Sequence, residues 1–124
     1  MRTITLEEHF ASPQFFDGPA RFVKERAEKI GGRYSLVMDR LCDLGAKRLS
    51  EMDAAGIDMQ VLSLSAPGVE QMETADAIPM ARDTNDYLAD AVKKHPTRFA
   101  GFAALPTGAP VGTAAKPAKR VGYF

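Results

Sequence analysis

Glu7 and His9 are the residues of this sequence whose types and spacing are best suited to chemistry. They come at the end of 3–7, a segment that alternates with a period of two and is rich in β-branched residues, as strands are. Residues two apart in an extended chain point to the same face, about 7 Å apart. A carboxylate and an imidazole placed in this way can bind one divalent cation, since zinc and similar ions accept mixed oxygen and nitrogen ligands. Glu-x-His is also common by chance, and a polar cluster that ends a strand is usually only solvated, so both interpretations stay open.

The elements that must position this pair alternate between strands and helices. Hydrophobic spacing and turn residues predict a strand, two helices, a strand, a helix and a strand. Their expected bounds are 3–7, 19–30, 43–56, 57–65, 76–95 and 99–105, with a loop at 11–18. Such an alternation predicts a parallel sheet. In the first strand, we expect Ile4 and Leu6 on one face and Thr3, Thr5, Glu7 and His9 on the other. The first helix is expected to bury one face, formed by Phe22, Val23, Ala27 and Ile30.

Composition and charge are those of an ordinary globular domain. The chain has 124 residues, 45% of them hydrophobic, and a formal net charge of zero. All of the acidic residues lie in 1–90, whereas 91–124 holds six basic residues and no acid. Six charges are few for a phosphate-binding surface, so we expect no nucleic-acid partner. Without an apolar run of about 18 residues or a basic and apolar leader, the sequence predicts a soluble, cytoplasmic protein with no membrane contact.

Other residues with reactive or polar side chains have simpler explanations. The single cysteine, Cys42, excludes an intrachain disulfide and a cysteine zinc site, and we expect it to pack as a small hydrophobe. The second histidine, His95, is expected at a helix C-terminus, where its charge favours the helix dipole. Asn85 falls on an apolar helix stripe and should hydrogen-bond a nearby loop or the backbone. Arg98 is expected to form a structural ion pair.

Three stretches of the sequence stand in the order in which one known family has them. They are ITLEEHF at 4–10, RLSEMDAAGID at 48–58 followed by VLSLSAPGV at 61–69, and AR, ND and PTRFAGFAALP at 81–82, 85–86 and 96–106. Together they resemble the amidohydrolase-related branch of metal-dependent aromatic-acid decarboxylases, in the amidohydrolase superfamily. The resemblance covers about residues 3–107.

The resemblance implies a fold and a domain organisation. The fold would be α/β, the N-terminal part of a TIM-type (β/α)8 barrel with parallel strands, and about three βα units would be present. A complete barrel takes about 250 residues. Residues 1–106 would form this partial barrel. After Pro106 the sequence departs from the family, which continues with an acidic helix, so we expect 107–124 to be an irregular basic tail.

The resemblance also implies a site. In the family the Glu-x-His of the first strand supplies two ligands of a divalent metal, zinc or manganese, which would be Glu7 and His9. A later histidine and aspartate complete the family's site, in sequence that this chain does not contain. Ser65, Ala66 and Pro67 would border the substrate pocket, although a plain strand stop made by proline and glycine is the simpler explanation of this turn. No catalytic residue is assigned.

The function that the resemblance implies is the non-oxidative decarboxylation of a hydroxylated aromatic or related acid. In such a lyase the metal orients the small aromatic carboxylic acid and stabilises negative charge. With two ligands, the chain alone would be weak or inactive. A first alternative is a non-catalytic fragment or module that needs another chain to complete the barrel, and assembly into a homo-oligomer is compatible with the sequence. A second is a metal-dependent hydrolase of the same superfamily, whose first strand usually ends in His-x-His.

Overall fold

The computed structural model describes residues 1–108, which form three strands and five helices. The strands lie in one parallel sheet in the order β1-β2-β3. The predicted parallel α/β fold is therefore confirmed. The elements, in chain order, are β1 (Ile4–Phe10), α1 (Pro13–Asp17), α2 (Arg21–Ile30), α3 (Arg33–Cys42), α4 (Ala46–Ala54), β2 (Met59–Leu64), α5 (Thr74–Lys94) and β3 (Phe99–Gly101).

The two faces of the sheet differ in what covers them. Leu62 of β2 and Phe99 of β3 lie in the main core with Leu88 of α5, and we call this side the helix-covered face. The opposite side, which we call the open face, carries the intervening residues of the strands. Of its larger apolar side chains, Met59 is buried, whereas Ile4 is 49% exposed, Leu6 67% and Phe102, the residue after β3, 63%. In a closed barrel this side would be the interior.

Two hydrophobic clusters hold the helices on the sheet. The larger one joins β1, β2 and β3 to α4 and α5, and its members include Phe10, Met52, Leu62, Leu88 and Phe99. The smaller one packs α1 against the chain that follows it, through Ala11, Phe15, Phe16 and Ala20. Burying such side chains contributes about 1.5–3 kcal/mol each. The sheet is therefore supported from the side where the helices lie.

One extra residue in β1 breaks the strict alternation that the sequence predicts. Thr5 pairs with Gln60 and Glu8 with Leu62, so the register shifts between these two positions of β1. Glu7 adopts a φ of 60°, the left-handed region. Thr5 therefore lies on the helix-covered face, whereas His9 pairs with Ser63 on the open face. The prediction that Thr5 and His9 share a face was wrong, because a bulge of one residue reverses the sides of the residues that follow it.

The first third of the chain holds more helix than the sequence predicts. The expected loop at 11–18 contains α1, whose first turn is capped by Ser12: its Oγ accepts a hydrogen bond from the Phe15 backbone N–H at 3.2 Å. Helix α3 was not predicted. Phe22 and Ile30 of α2 are 60% and 53% exposed, against the expected buried face. The helix packs instead through Ala27 and Val23, which are four residues apart.

The remaining elements follow the predicted order, with different bounds. Strand β2 lies inside the predicted 57–65, and α5 starts two residues before Asp76. Strand β3 ends at Gly101 rather than near 105. Asn85 of α5 holds the segment that follows β3 through two hydrogen bonds. Its Nδ2 donates to the Ala104 carbonyl at 3.0 Å, and its Oδ1 accepts from the Ala104 N–H at 2.7 Å. This confirms the backbone partner expected for Asn85.

Thr107 and Gly108 form a turn, and the rest of the predicted basic tail lies outside the described residues. In residues 1–108, none of the helices combines the length and the apolar character needed to cross a membrane.

Candidate metal site

The C-terminal ends of β1 and β2 lie side by side, and Glu7 and His9 are close to that edge. His9 is the penultimate residue of β1, and both predicted ligands are exposed. The Ser65 N–H, just beyond β2, donates to the Phe10 carbonyl at 2.8 Å, which joins the two strand ends. Enzymes with parallel (β/α)8 barrels place their reacting groups at this edge. The structure therefore puts the predicted pair where such a site would be built.

Ser63 is the nearest polar neighbour of the His9 imidazole. Its Oγ lies 3.2 Å from His9 Nδ1 and 3.5 Å from the Glu8 carbonyl oxygen. Sequence reasoning treated Ser63 only as part of a buried strand. Strand alternation could have marked it as a polar residue on one face, but its pairing with His9 depends on the register after the bulge.

Arg48 ties the end of β1 to its neighbours. Its Nη2 donates to the His9 carbonyl at 2.7 Å, and its Nε donates to Gln60 Oε1 at 2.8 Å. Burial lowers the pKa of Arg48, and the nearby carboxylates of Glu8, Asp43 and Glu51 act in the opposite direction. Arginine remains a cation in proteins, so this group can hold two strands and helix α4 together. In the sequence, Arg48 stands four residues before the buried Met52, a spacing that places both on the same side of a helix.

A cavity of about 400 Å³ lies between the end of β1 and the helices α3 and α4. Arg48, Glu51 and Met52 line it from α4, and Gln60 lines it from β2. Gln60 and the core residue Met52 belong to the helix-covered side of the sheet. Glu8 and His9 line the same cavity from the end of β1. Its lining does not include Ser65, Ala66 or Pro67, the residues predicted to border the substrate.

The predicted substrate-bordering residues form the turn directly after β2. The Gly68 N–H donates to the Ser65 carbonyl at 3.1 Å, and the Ala66–Pro67 peptide bond is cis. These features stop the strand, as the simpler interpretation of the turn expects. The same turn also lies beside the end of β1 through the bond from Ser65 to Phe10. A role of Ser65, Ala66 and Pro67 in substrate binding stays a prediction.

The metal-binding side chains of residues 1–108 can supply part of the ligand set of a divalent metal. In residues 1–108 no three histidine, cysteine, aspartate or glutamate side chains are grouped closely enough to hold an ion. Glu7 and His9 can supply one oxygen and one nitrogen ligand, a combination that manganese and zinc accept. These two residues fit a divalent metal in chemical type, as a part of its ligand set.

The other candidates lie away from this edge. His95 caps the C-terminus of α5 and packs edge-on against Phe99, with ring centroids 5.9 Å apart. It precedes β3, at the opposite edge of the sheet from His9. Arg98 pairs with Asp53 at 2.6 Å, so the predicted structural ion pair is confirmed. Burial raises the pKa of the Cys42 thiol, in keeping with a packing role.

The described residues form a parallel α/β sheet with a Glu-x-His in its first strand, and comparison with known proteins shows where the same fold is found. No protein-family model matches the sequence. The chain is nevertheless similar to aromatic-acid decarboxylases of the amidohydrolase superfamily. It is 42% identical over 104 residues to γ-resorcylate decarboxylase from a Rhizobium species, an alignment that covers 83% of this chain and 30% of that protein.

Solved structures give the same result. A dihydroxybenzoic acid decarboxylase from Polaromonas, with bound manganese and the inhibitor 2-nitroresorcinol, matches with a TM-score of 0.74 and 40% identity, over 94% of this chain and 33% of that one. The 5-carboxyvanillate decarboxylase from Novosphingobium aromaticivorans, also with manganese, matches with a TM-score of 0.74 and 32% identity, over 84% and 34%. The chain thus spans about a third of the length of these relatives. The resemblance of the sequence to this branch is confirmed, and manganese is the ion that these two structures contain.

Proposed function

We propose that this chain forms the part of a divalent-metal-dependent carboxy-lyase that supplies its first two metal ligands, and that the substrate is a hydroxylated aromatic acid. The observation that supports it is the position of His9 at the C-terminal edge of the sheet, with Glu7 two residues before it, in a chain 42% identical to part of a γ-resorcylate decarboxylase. We further propose that manganese or zinc is the ion and that Ser65, Ala66 and Pro67 border the substrate.

The residues of the chain have separable tasks in this proposal. The Glu7 carboxylate and the His9 imidazole would hold the ion, while Arg48 keeps the end of β1 in place through the His9 carbonyl. When bound, the ion supplies a template for the acid and its hydroxyl group and stabilises negative charge. Decarboxylation exchanges the ring carboxylate for a proton and releases carbon dioxide. We assign no proton donor among residues 1–108.

A chimera tests the proposal in a complete barrel. Residues 1–106 of this chain would replace the corresponding segment of the Rhizobium γ-resorcylate decarboxylase, and release of carbon dioxide from 2,6-dihydroxybenzoate would be measured with added Mn²⁺. We expect turnover by the chimera. We expect Glu7→Gln and His9→Asn to lower it by more than the roughly 10–100-fold that loss of a supporting residue costs.

The matched control is His95→Asn, which removes the other histidine at the opposite edge of the sheet and should leave turnover unchanged. A folded chimera whose His9→Asn variant decarboxylates as fast as the parent would refute the metal-ligand role. For the 124-residue chain alone we expect weak Mn²⁺ binding and little turnover. Rapid turnover of a hydroxybenzoate by the chain alone would contradict the expectation that it needs further ligands.

The exposed apolar side chains of the open face favour a second candidate, a non-catalytic module that another chain must complete. Ile4, Leu6 and Phe102 are between 49% and 67% exposed. Apolar residues grouped on one sheet face are characteristic of surfaces that pack against another layer. Under this proposal the chain binds a partner, or a second copy of itself, through the open face and contributes structure rather than turnover.

A further inference from the structure

The contacts of Ser63 determine which nitrogen of His9 can face a metal. Two acceptor groups lie near the Ser63 hydroxyl: the Glu8 carbonyl oxygen at 3.5 Å and the His9 Nδ1 at 3.2 Å. A serine hydroxyl has one hydrogen to donate and two lone pairs to accept with. A carbonyl oxygen can only accept. The neutral imidazole, in contrast, can carry its hydrogen on either nitrogen.

These rules leave one arrangement that satisfies all three groups. If Ser63 donates to the Glu8 carbonyl, its lone pairs face Nδ1, and Nδ1 must then carry the imidazole hydrogen. The His9 Nε2 is left with its lone pair. If Ser63 instead donates to Nδ1, the Glu8 carbonyl loses this contact and Nε2 carries the hydrogen, which blocks it as a ligand.

We propose that Ser63 is a positioning residue that holds His9 in the Nδ1–H tautomer, with Nε2 ready to bind a divalent ion. The sheet fixes the position of Ser63, because Ser63 pairs directly with His9 between β1 and β2. Arg48 fixes the backbone of His9, since its Nη2 donates to the His9 carbonyl at 2.7 Å. The imidazole is therefore held through its ring and its backbone. Metal-binding histidines commonly depend on such a partner at the second nitrogen.

The part of this inference that concerns the ion rests on the proposed function, but the tautomer does not. The tautomer is measured on the ¹⁵N-labelled 124-residue chain without metal, from the two imidazole nitrogen shifts in long-range ¹H–¹⁵N spectra. The spectra are recorded at about pH 8.5. His9→Asn assigns the signals, and His95 is the internal reference. We expect the pattern of an Nδ1–H imidazole for His9.

Three variants separate positioning from general structure. Ser63→Ala should mix the two tautomers, which moves the two nitrogen shifts of His9 toward each other. Ser63→Thr keeps the hydroxyl on a residue suited to a strand and should restore the parent pattern. Ser50→Ala, at an exposed site on α4, is the matched control and should change nothing. An Nε2–H tautomer in the parent chain, or an unchanged pattern in a folded Ser63→Ala variant, would overturn the inference.

Metal affinity gives a second readout. In a titration with Mn²⁺, the parent is the chimera that completes the barrel, and we expect its Ser63→Ala variant to bind about 10–100-fold more weakly than the parent, and Ser63→Thr and Ser50→Ala to bind like the parent. Equal affinity of the parent and Ser63→Ala would refute the link from the tautomer to the ion. If the parent binds no Mn²⁺ while the Nδ1–H tautomer is present, the proposed metal function fails and the role of Ser63 in setting the tautomer stands.

Discussion

Glu7 combines a proposed ligand with an unusual backbone conformation. It is the one non-glycine residue with a positive φ among those described, and it sits where β1 gains a residue relative to β2. An L-residue in the left-handed region costs about 1–2 kcal/mol. Strain of this kind persists where the surrounding structure enforces it, and it is concentrated at functional sites. The same backbone turn that strains Glu7 brings His9 onto the open face beside Ser63.

A pair of substitutions measures this strain. At position 7 we expect Glu7→Gly to be more stable than Glu7→Ala by about 1 kcal/mol, because glycine adopts a positive φ without a Cβ clash. Urea denaturation of the two variants gives the difference in the free energy of unfolding. At the neighbouring Glu8 the same pair should have the opposite order, with glycine less stable than alanine by about 0.5–1 kcal/mol. The same order at both positions would show that Glu7 is not strained.

At the scale of elements, the contact between α5 and β3 allows no side chain at Gly101. A Cβ at this position would overlap Leu88 Cδ2 and lie 3.1 Å from the Leu62 carbonyl oxygen. Leu88 is fully buried, so its side chain could make room only by moving within the core. The glycine in this strand therefore sets how closely the helix approaches the sheet. Through the Asn85 bonds to Ala104, the same helix also holds the segment after β3.

Gly101→Ala should lower the free energy of unfolding by about 1–3 kcal/mol through overpacking. Gly108→Ala is the matched control, since a Cβ there meets no atom of residues 1–108 within 4 Å, and it should be neutral. In a double-mutant cycle with Leu88→Ala, the combined loss should be smaller than the sum of the two single losses, because the truncated leucine makes room for the new methyl group. Strictly additive losses would place the strain elsewhere.

At the scale of the whole molecule, the helices cover one face of the sheet, and the other face carries exposed apolar side chains beside the buried Met59 and Ala100. Leu6 and Phe102 are more than 60% exposed on the open face. Residues that would lie inside a closed barrel are here in contact with solvent, which favours association with another protein surface. Both proposed functions need this face to be covered, by the remainder of a barrel or by a partner chain.

We expect the 124-residue chain to associate as its concentration rises, and Leu6→Lys combined with Phe102→Lys to suppress that association. Sedimentation velocity over a range of concentrations measures the effect. The matched control is Ile30→Lys combined with Phe22→Lys, which replaces similarly exposed apolar residues on α2. An equal effect of both pairs would show nonspecific association through exposed apolar residues and not a role of the open face. A chain that stays monomeric at all concentrations would contradict the expectation.

The sequence by itself determined the features that depend on local pattern. The order of the three strands, the position of β2 and the place of His9 near a strand end follow from spacing and turn residues over short segments, whereas α1 and α3 were not predicted. The backbone partner of Asn85 was foreseen because a buried amide needs hydrogen bonds.

Only the tertiary structure decided how these elements meet. The extra residue in β1, and with it the face on which His9 lies, depends on pairing with β2, more than 50 residues away along the chain. The contacts of His9 with Ser63 and Arg48 join residues from three elements, and no local pattern predicts them. Glu7 and His9 were found from their types and spacing, but the hydrogen bonds that prepare His9 arise from strand register, which is a non-local property.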